Sequence, residues 1–259
     1  MPTAAATAVS NARPTPRRVQ LFVTCLVDRF YPGVGHAVVS VLERLGVEVI
    51  VPSDQTCCGQ PAFNGGFTGE ATAMARHTID VLTARPDPVV VPSGSCADMI
   101  VNHYPELFHG DDPYAARARD LAARTCEFSQ YLVDVLGVTP APCPDGPRLA
   151  YHASCHGLRG LGLHDQPRRV LYAVAGDRAC DLPDADVCCG FGGLFAVKMA
   201  AISGAMLDAK LDAIAESGAE AVVATDVSCL MHIGGGLHRR GSAVRVLHIA
   251  EAVAGDRGA

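Results

Sequence analysis

The chain has 259 residues, a net charge of −6 at neutral pH, 49% hydrophobic residues and only 19% charged ones. It is apolar enough to build one large core or two ordinary ones, and too acidic, with no basic stripe, to suit a nucleic-acid surface. The absence of Trp and an aromatic content of 5% argue against a stacking platform for sugars or bases, and no apolar run approaches the roughly 18–20 residues of a membrane-spanning helix.

Residues 1–18 are Ala-rich, but the charges Arg13, Arg17 and Arg18 follow the mild apolar stretch, and Pro14 and Pro16 break it. A secretory leader has the opposite order, so the segment reads as a disordered tail on a cytoplasmic protein. Eleven Cys in such a chain imply reduced thiols, and therefore metal or redox chemistry rather than disulfides.

In chain order, Arg18 to Thr24 reads as a strand with Cys25 at its end, and His36 to Leu45 as a helix stopped by Gly46. Val47 to Val51 is a second strand, followed by Cys57-Cys58-Gly59 in a turn. Glu70 to Ala84 is a helix, and Pro88 to Val91 a third strand leading to Ser93-Gly94-Ser95-Cys96. Asp112 to Leu136 reads as a long helical stretch, one helix or two, ending at Gly137. The breaker cluster Thr139 to Pro147 marks a boundary between lobes spanning residues 19–138 and 147–254. The second lobe restarts with Arg148 to Ala153 as a strand near Cys155 and Arg168 to Ala175 as a helix. Cys188-Cys189-Gly190 follows in a turn, and Leu194 to Ser217 is a long helix closed by Gly218. Ala221 to Ala224 is a strand before Cys229, and Ala243 to His248 leads into a short terminal helix.

Strands alternating with helices predict an α/β fold: two lobes related by a pseudo-two-fold, each with a mostly parallel sheet flanked by helices. The thiols repeat with the fold. Cys25 precedes Cys57 by 32 residues and Cys96 follows Cys58 by 38; Cys155 precedes Cys188 by 33 and Cys229 follows Cys189 by 40. Loops at the carboxyl ends of parallel strands converge on one crevice, so each set of four can meet there.

Four thiolates select zinc, copper(I) or an iron–sulfur cluster. Zinc sites favour Cys pairs spaced by two to four residues, and the sequence contains no C-x-x-C. Adjacent cysteines suit a cluster, whose irons are spread over a few ångströms, while Gly59 and Gly190 permit a tight turn with N–H groups towards sulfide. Zinc, dithiol redox chemistry and plain burial of small hydrophobes remain the alternatives.

This double pattern resembles the tandem cysteine-rich CCG domain, found in the cysteine-rich subunit of heterodisulfide reductase and in the iron–sulfur subunits of glycolate oxidase and anaerobic glycerol-3-phosphate dehydrogenase. The phrases Asp54-Gln55-Thr56 before the first pair, Gln60-Pro61-Ala62 and Asn64-Gly65-Gly66 after it, and Ser93-Gly94-Ser95-Cys96 are most similar to the lactate-utilisation branch of that family. The resemblance implies one or two 4Fe–4S clusters, bound by Cys25, Cys57, Cys58 and Cys96 and by Cys155, Cys188, Cys189 and Cys229. It further implies an electron-transfer subunit of a multi-protein system oxidising L-lactate to pyruvate, working beside a separate ferredoxin-like iron–sulfur partner and leaving peripheral membrane association open. No ferredoxin-type cysteine run occurs in the chain itself. A thiol–disulfide enzyme like heterodisulfide reductase is the runner-up, but it uses a fifth thiol per repeat where this chain has Met99 and His232. A zinc-stabilised scaffold is the third reading.

Other signals are weaker. His152 and His156 flank Cys155 and could donate to its sulfur or to sulfide. His232 reads as a helix-face residue. His36, His103 and His109 read as surface or capping residues. Cys126 reads as helix core, Cys143 as part of the linker and Cys180 as an outlying thiol. Gly33-Val34-Gly35 matches only the opening of a dinucleotide fingerprint, with Val38 at the third glycine position, and reads as a tight turn.

Overall fold

A computed structural model describes residues 18–143 and 145–255. The first lobe runs β1 (Arg18–Leu21), α1 (Cys25–Phe30), α2 (Pro32–Arg44), β2 (Glu48–Ile50), α3 (Gln60–Asn64), α4 (Thr68–Thr83), β3 (Val89–Val91) and α5 (Gly94–Asp98). A π-helical segment, Met99–His103, carries α5 into α6 (Tyr104–Leu107); α7 (Pro113–Ala123), β4 (Thr125–Glu127) and α8 (Phe128–Gln130) follow. The second lobe runs β5 (Leu149–Tyr151), a π-helical turn His156–Gly160, α9 (Gln166–Ala175), β6 (Ala179–Cys180), α10 (Leu194–Lys198), α11 (Ala200–Ser217), β7 (Ala221–Ala224), α12 (Val227–Arg239), β8 (Arg245–His248) and α13 (Ile249–Ala254).

Both sheets are wholly parallel, in the orders β2-β1-β3-β4 and β6-β5-β7-β8. The two orders are the same topology written twice, as the repeated thiols predict. The central strands Val89–Val91 and Ala221–Ala224 are buried at every residue, which is how a strand covered by helices on both faces reads in sequence. Gln20 is the polar exception in β1; its buried Nε2 donates to the carbonyls of Leu82 (3.0 Å) and Asp87 (3.2 Å) and so joins β1 to the end of α4.

The lobes share a core. Val19, Leu21, Val38 and Leu42 from the first pack in one cluster with Leu149, Tyr151, Val170 and Val223 from the second. The terminal helix α13 crosses to α2, and Arg44 donates to the carbonyls of Val253 (3.3 Å) and Ala254 (3.4 Å).

The structure corrects several expectations. The stretch Asp112 to Leu136 is interrupted by β4, because Arg124 leaves helical geometry and Thr125 to Glu127 pair with Val89 to Val91 along the sheet edge. Cys126 therefore lies on a strand, not in a helix. The long helix from Leu194 breaks at Met199, whose φ of −121° and ψ of 46° are not helical. Gly33-Val34-Gly35 lies in the first turn of α2 behind Pro32, not in a tight turn. The two-residue strand β6 has no counterpart among the sequence expectations. Arg18 opens β1, and the remainder of the expected tail lies outside the described residues.

Glu127, at the end of β4, is fully buried, and its Oε2 caps α8 by accepting from Ser129 N (2.7 Å) while Oε1 has no partner. Burial pushes its carboxyl up to about 7 against the opposing pull of those hydrogen bonds. The folded chain thus holds a proton that the unfolded chain releases near pH 4.5, and this group's contribution to stability falls as pH rises from there through 7. Urea unfolding at pH 5 and pH 8 should show the wild type losing on the order of 3 kcal/mol more than Glu127→Gln between the two conditions; equal losses would refute the assignment.

Candidate metal centres

All eight repeated thiols lie beyond the carboxyl ends of strands, the vicinal pairs in loops and the other four in the first turn of the helix that follows. Cys25 opens α1 behind the cap Thr24, whose Oγ1 accepts from Val27 N (3.4 Å). Cys96 is the third residue of α5 and Cys229 the third of α12, behind the caps Ser93 and Asp226. The vicinal pairs end on Gly59 and Gly190, with φ of +86° and +89°, conformations that favour glycine. Each glycine also packs against a helix. A Cβ on Gly59 would lie 3.2 Å from Met74 Cβ, and one on Gly190 would lie 2.7 Å from the Ser203 carbonyl oxygen and 2.9 Å from Met206 Cβ.

In the first lobe the Cys25 thiol donates to Cys57 Sγ (3.7 Å) and the Cys58 thiol to Cys96 Sγ (3.3 Å), while Gly59 N donates to Cys57 Sγ (3.5 Å). In the second lobe Gly190 N likewise donates to Cys188 Sγ (3.3 Å), the sulfurs of Cys189 and Cys229 lie within 4.8 Å of each other, and Cys155 with Cys188, and Cys189 with Cys188 and Cys229, bias one another's ionisation. Donation from the neighbouring thiols lowers Cys57 and Cys188 well below the ordinary thiol range, and the same bonds, with burial, raise Cys25, Cys58, Cys155 and Cys189. One thiolate per nest is therefore ready at neutral pH, and a bound cation would ionise the rest.

The adjacent cysteines face different companions, Cys57 towards Cys25 and Cys58 towards Cys96. A vicinal pair divided in this way fits a core with several metal atoms better than one small ion. The donor set fits an iron–sulfur cluster in each lobe: four sulfurs, with a glycine N–H directed at one of them.

Access differs within a nest. Cys58, Cys96, Cys189 and Cys229 are buried, while Cys25, Cys57, Cys155 and Cys188 are half-exposed. Cys25 and Cys57 line a surface groove of about 490 Å³ with Val23, Arg29 and Pro52. On the inner side, a cavity of about 130 Å³ runs from the first-lobe thiols to Phe191, Gly192 and Gly193, the loop immediately after the second vicinal pair. The reciprocal contact is Gln60, directly after the first pair, whose Nε2 lies 3.2 Å from Nε2 of His156, next to Cys155.

Two buried carboxylates lock this arrangement. Asp226 Oδ1 accepts from Ser228 N (3.0 Å) and Ser228 Oγ (2.5 Å), capping α12; its Oδ2 accepts from Ser95 N (2.7 Å) and Ser93 Oγ (3.1 Å) at the start of α5. A single side chain thus holds the helices that carry Cys96 and Cys229. Asp98 accepts from Asn102 Nδ2 (2.6 Å) and lies 2.6 Å from His156 Nδ1 and 3.6 Å from His103 Nε2. Burial raises Asp98, but the bonds from His156 and Asn102 outweigh it and hold the carboxyl below its usual range; Asp98 in turn raises His156.

His103, expected at the surface, is partly exposed and lies 2.9 Å from exposed Glu106, but it also reaches this network at 3.6 Å from Asp98; His36 and His109 are exposed as expected. The sequence pattern points to neither Asp98 nor Asp226 as functional, although Asp226-Val227-Ser228-Cys229 parallels Ser93-Gly94-Ser95-Cys96 as a helix cap before a ligand. His152 is fully buried near the second nest, with a ring nitrogen and the sulfurs of Cys189 and Cys229 all within 4.8 Å of one another. His232 lies on α12 with Nε2 3.4 Å from Ser203 Oγ. The outlying thiols have other places: Cys126 packs on the shared core, Cys143 Sγ donates to the Asp145 carbonyl (3.3 Å), and Cys180 Sγ to that of Leu149 (3.5 Å).

Among the described residues no helix is long and apolar enough to cross a membrane. The chain is 49% identical over 234 residues to lactate utilization protein A of Geobacillus kaustophilus, covering 90% of this chain and 97% of that one. It is 47% identical to the protein of the same name from Exiguobacterium sp., covering 90% and 95%, and 46% identical to that of Bacillus cereus strain G9842, covering 90% and 97%. The CCG cysteine-rich domain matches twice, over residues 19–101 and 149–234, each match containing one set of four converging thiols. On these grounds the chain belongs to the cysteine-rich CCG domain family, as a tandem member.

Proposed function

We propose that this chain is an iron–sulfur electron-transfer subunit of a multi-protein system that oxidises L-lactate to pyruvate. Cys25, Cys57, Cys58 and Cys96 would hold one 4Fe–4S centre, and Cys155, Cys188, Cys189 and Cys229 a second. The observation that carries the reading is a vicinal thiol pair divided between Cys25 and Cys96 in the first lobe, with a second vicinal pair at the equivalent turn of the second lobe, beside Cys229 and with the same glycine N–H directed at its first sulfur. Bound clusters would supply one-electron carriers; the chain's own part is to hold them, shield their inner faces, and leave the Cys25 and Cys57 side open to a groove where a partner can approach. The lactate assignment rests on the names of the relatives, and the partner, a separate ferredoxin-like iron–sulfur protein, on the lack of such a cysteine run here. The disulfide-cleaving alternative is weakened because the fifth-thiol positions hold the buried Met99 and the partly exposed His232, the latter next to Ser203.

Removing the chain from its host should abolish growth on L-lactate. The wild type should restore growth, and a Cys188→Ala/Cys189→Ala variant present at the same level should not. Undiminished growth with that variant would overturn the electron-transfer role.

A further inference from the structure

The two nests are built alike but lined differently. Phe22 and His152 stand at equivalent places, each three residues before the first thiol of its lobe and each fully buried. Phe22 packs in the first-lobe core with Cys58 and Cys96. His152 lies beside Cys189 and Cys229, and neither of its ring nitrogens has a hydrogen-bond partner; the nearby Ala185 carbonyl accepts from Ala153 N. Burying an imidazole with both nitrogens unpaired is costly, which points to a group that belongs against it.

A second difference follows from the glycine contacts. Gly59 meets Ala71 and Met74 of α4 as Gly190 meets Ser203 and Met206 of α11, so one turn further along Thr78 corresponds to Lys210. Thr78 is buried and its hydroxyl has no partner. Lys210 is also buried, and its ammonium donates to the Asp184 carbonyl and interacts with Cys188 and Cys189. At a third position His232 replaces Met99. The charged and titratable groups facing the second nest are thus His152, His156 with its partner Asp98, Lys210, His232 and Asp226; those facing the first are Asp226 and the buried Tyr104, whose hydroxyl donates to the Cys58 carbonyl.

We infer that His152, donating an N–H to sulfur, and Lys210, as a buried cation, set the reduction potential of the second-lobe centre above that of the first, so that electrons pass from the first lobe to the second. The inference rests on both nests holding clusters. Reduction adds negative charge to a cluster, and a donor or a cation fixed beside it stabilises the reduced form more than the oxidised one. The step is a one-electron exchange: the first-lobe centre is oxidised, the second reduced, and no bond or proton moves.

The test is an anaerobic redox titration read by electron paramagnetic resonance, with iron and sulfide measured on every sample. Full-length variants lacking the Cys57/Cys58 or Cys188/Cys189 pair identify the two centres. The second-lobe centre should reduce at the higher potential by at least about tenfold in the reduction equilibrium, or roughly 59 mV for one electron. His152→Phe should remove most of that gap, His152→Gln, which keeps an N–H, less of it, and Lys210→Thr should also lower the wave. Equal potentials, a higher first-lobe centre, or an unmoved wave in loaded His152→Phe would overturn the inference while leaving the cluster assignment intact. Iron lost from His152→Phe alone would also overturn it, by making the imidazole a ligand. A wild type without iron and sulfide would sink the cluster assignment and the inference together.

Discussion

Asp226→Ala is expected to strip iron from both lobes and to lower the unfolding free energy by about 3 kcal/mol. The side chain caps α12 with one oxygen and holds the Ser93–Ser95 turn with the other, and it is buried, so no water replaces it. Two lost caps account for about 2 kcal/mol, and the stranded Ser95 and Ser228 amides for the rest. Asp226→Asn has one acceptor oxygen and can serve only one of the two helices, so it should fall between. Iron per chain and the urea midpoint, measured side by side, check this. Iron loss confined to the second lobe would mean that the Ser93–Asp226 link does not position Cys96.

Gly190→Ala should be the most damaging single change at either turn. The positive φ alone costs a side chain about 1–3 kcal/mol, and the new methyl group would lie 2.7 Å from the Ser203 carbonyl, a backbone atom that cannot step aside. A total of about 3–4 kcal/mol is expected, with selective loss of the second-lobe metal as the Cys188–Cys189 turn is forced away from Cys229. Gly59→Ala has the same φ problem, but its methyl group would meet Met74 Cβ at 3.2 Å and the Ala71 carbonyl at an ordinary 3.4 Å, so about 1–2 kcal/mol is expected there. Thermal or urea denaturation of the two variants, with iron content per lobe, separates them. Equal damage at both positions would show that packing against α11 is not the difference.

Much of this is legible in the sequence. The α/β repeat can be read from the apolar strands placed before Cys25, Cys57, Cys96, Cys155 and Cys229, and the repeated thiols from their spacing. What stays hidden has physical causes. Strands β4 and β6 have three and two residues, too few to display a period, and they exist because a neighbouring edge accepts them. The break at Met199 lies in a run of good helix formers, so nothing in the local sequence announces it. The shared core and the docking of α13 on α2 are long-range events that no local pattern announces. Asp98 and His103, on one helical segment, form a network across the lobes with His156, on another far along the chain, so their partnership is invisible until the chain folds. The place of His152 near Cys155 is plain in the sequence, but its contrast with Phe22 acquires meaning only once the burial of both and the unpaired nitrogens are seen.

The most direct test is a joint determination of iron, acid-labile sulfide and zinc on protein purified without oxygen, for the wild type and for variants lacking either vicinal cysteine pair. The account predicts a brown wild type with about eight irons and as many sulfides, and about four of each when one pair is removed. Colourless protein, or zinc bound without sulfide, would contradict it.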